Sequence, residues 1–163
     1  MTLRNLISSA CLALLATQTV AQGDDEHARK AFEIYKTIVE VDTSKAQGNT
    51  PRVARYLADE LIAAGFPADD VRVVPKGDFA TLIATYRGDG SAGRKPILFL
   101  GHLDVVEALA EDWERPPFSL TQDDVNYYAR GSIDNKFGVA QLTATFIRLR
   151  REGFVPDRDL VLA

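Results

Sequence analysis

Four consecutive apolar residues, Ile97-Leu98-Phe99-Leu100, are followed at once by the polar set Gly101-His102-Leu103-Asp104. An uninterrupted apolar run of that length, bounded by polar residues, reads as a strand buried on both faces. Such strands occur where helices cover a sheet on both sides, so the run constrains the architecture of the whole chain. Its neighbours agree. Ala31, Ile34, Tyr35, Ile38 and Val41 recur at helical spacing and predict a helix over 24–41. After the polar loop 42–49, Thr50 is suited to an N-cap and Pro51 to the first helical position. The helix so opened has Val53, Tyr56, Leu57 and Leu61 on its inner face and Gly65 as its stop. Strands are expected at 71–74, 80–86, 97–100, 127–129 and 160–162. A third helix is expected over 136–152, with Val139, Leu142, Phe146 and Leu149 inward and Gly153 ending it. Helices alternating with apolar strands predict an α/β fold of three layers, α/β/α.

The end of the apolar run carries the chemistry. Residues i and i+2 of an extended segment point to one side, so His102 and Asp104 can face one spot at the edge of the sheet. That is the usual arrangement of a metal-binding imidazole and the group that orients its other nitrogen. A structural, hydrogen-bonded histidine is the alternative. About thirty residues on comes Arg130-Gly131-Ser132-Ile133-Asp134-Asn135-Lys136. Asp134 there is either the N-cap of the third helix or a metal ligand. Arg130, Asn135 and Lys136 either orient this loop and meet substrate, or form solvated surface. Trp113, with Pro116-Pro117-Phe118, either lines a cleft or packs the long loop against the domain. His27, the only other histidine, lies among charged residues at a helix start and is not counted as a ligand.

Three segments, Gly101–Val106, Asp112-Trp113 with Pro117-Phe118, and Ala129–Gly138, together resemble the zinc-dependent aminoacylase/carboxypeptidase superfamily. Its members include glutamate carboxypeptidases, acetylornithine deacetylase and succinyl-diaminopimelate desuccinylase. The likeness extends over nearly all of the chain after residue 25, with Ala129 standing where the family often has Gly. It implies a metallopeptidase-type catalytic domain, incomplete here, that hydrolyses amide bonds of small peptides or N-acyl amino acids. His102 would be a terminal ligand, Asp104 the catalytic residue supporting it, and Asp134 a bridge between two zinc ions, with cobalt or manganese as substitutes. The family's Glu-Glu pair, general base and ligand, is expected just past Ala163. A smaller domain that commonly mediates homodimerisation is expected there too. Two further readings stay open: a catalytically inactive truncated fragment, and an exported binding protein on the same scaffold.

Other motifs point away from competing functions. Gly88-Asp89-Gly90-Ser91-Ala92-Gly93 spells a dinucleotide fingerprint, but Arg94-Lys95-Pro96 and another strand follow instead of the required helix. It is expected to be an exposed hairpin connection. A net charge of −4 with no basic stripe gives no sign of nucleic-acid binding. At the N-terminus, Arg4, the apolar stretch 6–20 and Thr19-Val20-Ala21 read as a signal peptide over 1–21. The stretch is too short and too polar for a stable membrane span. Residues 22–163 are then an exported chain, periplasmic or extracellular. Cys11, the only cysteine, leaves with the signal, so a metal site in the mature chain uses His and carboxylates.

Overall fold

A computed structural model describes residues 26–163; the signal-peptide expectation and Cys11 lie outside the described residues. The described residues fall into two units, 26–30 and Ala31–Ala163. Residues 26–30 of the first are helical. The second opens with residues 31–39 of helix α1 and carries the sheet and both motif segments.

Helix α2 (Thr50–Ala63) buries Val53, Ala54, Leu57, Ala58 and Leu61, the one-sided stripe its periodicity predicts. Its N-cap is Asn49, not Thr50. Thr50 is buried instead, and its hydroxyl accepts the Ala80 amide at 3.2 Å. Helix α3 (Lys136–Arg151) turns Val139, Ala140, Thr143, Phe146 and Ile147 inward. Leu142 and Leu149 flank that face and are partly buried.

The strands β1 (Val71–Lys76), β2 (Phe79–Tyr86), β3 (Ile97–Phe99) and β6 (Leu160–Leu162) form one mixed sheet in the order β1-β2-β6-β3. β6 runs antiparallel to β2 and parallel to β3. A separate two-stranded ribbon joins β4 (Thr121–Gln122) to β5 (Tyr127–Tyr128). β4 carries no sequence signal of its own.

Burial alternates along β2, with Ala80, Leu82, Ala84 and Tyr86 inward. All three helices contribute to the single core cluster on that face. Phe66, Tyr86 and Phe146 meet at its centre with ring centroids 5.1–6.3 Å apart. The architecture is α/β, as expected. The layer that continuous apolar strands imply on the second face is not supplied by the described residues. β3 is an edge strand, and Leu98 is 55 % exposed.

The hairpin expected between β2 and β3 is corrected by the strand order, since β6 lies between them. The connecting loop instead runs against the segment that enters β6. Asp89 and Ala92 donate amides to the carbonyls of Pro156 and Asp157. A Cβ at Gly88 would lie 2.5 Å from the Arg158 carbonyl carbon. Only glycine lets the two main chains approach this closely.

Candidate metal centre

β3 ends where Gly101 donates its amide to Ala163 at 3.0 Å, and the chain then leaves the sheet. A Cβ at Gly101 would meet Val139 Cγ2 at 2.8 Å and Asn135 Oδ1 at 3.2 Å. The first motif segment is therefore pressed directly onto the start of α3. The second motif reaches the same place from the other side, as a turn over residues 130–135 leading into α3. Gly131 has φ +75°, and a Cβ there would strike Val105 Cγ1 at 2.5 Å. Val105 is 7 % exposed and fills the space between the two loops.

Between these loops His102 Nε2 and Asp134 Oδ1 stand 2.9 Å apart. The other ring nitrogen, Nδ1, faces the Asp104 main-chain carbonyl at 3.0 Å, with the Asp104 carboxylate at 3.5 Å. The carbonyl, rather than the side chain suggested by the spacing, is thus the nearer partner. Half of the His102 side chain and most of the Asp134 side chain are exposed, so the pair opens to solvent. They line a cleft of about 250 Å³ together with Asp104, Val105 and Ala129–Ile133. Burial pushes the imidazole's affinity for protons down. The hydrogen bonds to Asp134 and to the Asp104 carbonyl outweigh it and hold the pKa above the ordinary value. An oxygen at each ring nitrogen favours the doubly protonated ring, and a cation arriving at Nε2 would replace one of those protons.

The structure distributes the remaining motif residues differently from the solvated-surface reading. Lys136 is fully buried and donates Nζ to the Val41 carbonyl at 2.6 Å. Asn135 is the residue before α3, and its amide oxygen packs against Gly101 and Gly138. It takes the N-cap position considered for Asp134, without a side-chain capping bond. Arg130 lies over the Trp113 ring at 5.0 Å, and its amide donates to Pro117 at 2.7 Å. The Trp113–Pro117 loop therefore packs on the second motif.

Sequence reasoning passed over Thr43, which is fully buried. Its hydroxyl donates to the Leu103 carbonyl at 2.6 Å, between the two polar residues of the first motif. Nothing in its local pattern marks it. Beside His102 a second cavity of about 470 Å³ is lined largely by apolar residues of α2, β2 and α3. It holds the buried, unpartnered hydroxyl of Thr143. Among the described residues no group of three or more His, Cys, Asp and Glu side chains comes together, so the pair is the whole of the donor set seen here.

Residues 98–163 match the sequence model of Peptidase family M20/M25/M40. The N-fatty-acyl-amino acid synthase/hydrolase PM20D1.1 of Danio rerio is 31% identical over 145 residues, 84% of this chain and 27% of that protein. A probable succinyl-diaminopimelate desuccinylase of Staphylococcus aureus (strain Mu50 / ATCC 700699) is 32% identical over 136 residues, 82% of this chain and 32% of the relative. Among solved structures, human carnosine dipeptidase 1 superposes with TM-score 0.70 at 23% identity, over 89% of this chain and 33% of its own. The dipeptidase Dug1p of Saccharomyces cerevisiae gives TM-score 0.69 at 20% identity with the same coverage. At such identities the structural likeness shows the fold. The chain spans about a third of the length of these relatives.

Proposed function

We propose that this chain, whose residues 98–163 match the sequence model of Peptidase family M20/M25/M40, forms part of a metal-dependent hydrolase of amide bonds in small peptides or N-acyl amino acids. The observation that carries the reading is the convergence of His102 Nε2 and Asp134 Oδ1 at 2.9 Å on an open cleft, from two separate loops. An imidazole nitrogen and a carboxylate oxygen are both ligands that zinc accepts, and cobalt and manganese accept them too. Relatives named as an N-fatty-acyl-amino acid synthase/hydrolase and a desuccinylase support the substrate class.

His102 and Asp134 would hold the ion. A bound ion of this kind polarises a carbonyl oxygen and lowers the pKa of a water molecule. His102 presents Nε2 because Nδ1 is held by the Asp104 carbonyl, and the Asp104 carboxylate adds negative charge beside the ring. A catalytic zinc takes about three protein ligands, and two come together among the described residues. The activity is therefore proposed for a protein of the relatives' extent, exported by residues 1–21.

The test is hydrolysis of N-acetyl amino acids and dipeptides by that protein with zinc, with chelator, and as His102→Ala and Asp134→Ala. Chelation and either substitution should each lower kcat/KM on the order of 100-fold or more. Undiminished turnover in all three would sink the metal reading.

A further inference from the structure

What holds His102 and Asp134 at a fixed separation is not their own contact, since both side chains are half-exposed or more. Each loop is tied instead to one short stretch of chain, the turn over residues 41–44 that follows α1. On the His102 side, Thr43 Oγ1 donates to the Leu103 carbonyl at 2.6 Å, and the Val105 amide donates to the Thr43 carbonyl at 3.4 Å. These two bonds bracket Asp104. On the Asp134 side, Lys136 Nζ donates to the Val41 carbonyl at 2.6 Å, and the Lys136 amide closes the motif turn onto Gly131 at 3.3 Å.

The turn is itself braced. Asp42 accepts the Ser44 amide on its carboxylate at 2.9 Å, and its carbonyl accepts the Asn49 side-chain amide at 2.9 Å, just before α2. Thr43, Ser44 and Lys136 are each at most 2 % exposed. Burying a hydroxyl and an ammonium is unfavourable, and apolar residues of equal size would pack these sites without that cost. Their geometry repays the burial only as directed bonds, each joining the turn to one of the two loops.

We propose that this turn is a positioning element of the metal centre, with Thr43 and Lys136 as positioning residues that set the placing of His102 against Asp134. The proposal rests on the metal reading above. It predicts that each residue governs metal affinity without touching the ion, as groups beyond the ligands do elsewhere, at a cost of about 10–100-fold when removed.

In the protein of the relatives' extent, the ring signals of His102, identified by their loss in His102→Ala, can be followed by nitrogen-15 NMR during titration with zinc alone. Wild type should show a zinc-dependent change at His102 Nε2. Thr43→Val, which removes the hydroxyl at constant volume, and Lys136→Met should each need at least about 10-fold more zinc for the same change. Thr43→Ser should restore the wild-type response. Leu61→Val, a fully buried α2 substitution that removes one methylene, should lower the melting temperature and leave the zinc response alone. If Lys136→Met does not fold, Thr43→Val with its serine rescue carries the test. Wild-type zinc affinity in folded Thr43→Val, or weakening in Leu61→Val equal to its loss of stability, overturns the positioning role. No response of wild-type His102 to zinc overturns the metal reading, and the positioning role falls with it.

Discussion

Lys136 gives a prediction whose size follows from its surroundings. Its side chain is fully buried, with one carbonyl for a partner. Burial pushes the ammonium pKa down from 10.5 to about 8, partly opposed by Asp42. The sign follows from linkage. Between those two values the unfolded chain binds more protons than the folded one, so stability rises with pH. Below about pH 8 the folded protein carries the full penalty. Above the unfolded value the penalty is gone. At about 1.4 kcal/mol per pH unit the full difference is roughly 3 kcal/mol, and roughly 2 kcal/mol of it is relieved between about pH 7 and pH 9.5. The assay is urea unfolding of wild type and Lys136→Met at those two pH values, with chelator present. Tyr35 and Tyr86, whose phenols are pushed up by burial, are common to both proteins and cancel in the difference. Wild type should gain roughly 2 kcal/mol on the variant between the lower and higher pH. A gap that stays constant, or moves the other way, refutes the reasoning and means the ammonium is solvated or paired.

Two further outcomes test the fold. Gly88→Ala sets a Cβ 2.5–2.7 Å from the Arg158 main chain, which has no flexible side chain to yield. It should cost about 3 kcal/mol by calorimetry, and a loss under about 0.5 kcal/mol would show that the two segments are not in contact. Leu98→Lys, on the exposed side of β3, should leave the free energy of urea unfolding within about 0.5 kcal/mol of wild type and reduce self-association in sedimentation; a large loss of stability would show that side to be packed.

Periodicity made most of the elements legible. The inner face of α2, the glycine ending it and β6 to the residue all follow from spacing, because local pattern and tertiary burial agree there. His102 was legible as a polar interruption at the end of an apolar strand, whereas Asp134, equally readable as an N-cap, was singled out through the resemblance of its motif. What could not be read is what depends on distant pairing. Nothing near Gly88 announces that a strand some seventy residues later enters between β2 and β3. Lys136 looked like surface because lysine almost always is, and only its long reach to the Val41 carbonyl makes burial tolerable. Thr43 sits in a stretch whose composition is that of any polar loop; its function depends on what packs over it.

The strand order also carries a consequence for how this chain acquires its shape during synthesis. β6, the latest in sequence of the described strands, is the one that joins β2 to β3. Until it emerges, β3 has no neighbour in the sheet and the His102 loop has no platform. Assembly therefore waits on contacts far apart in the chain, which slows it relative to a fold built on local contacts.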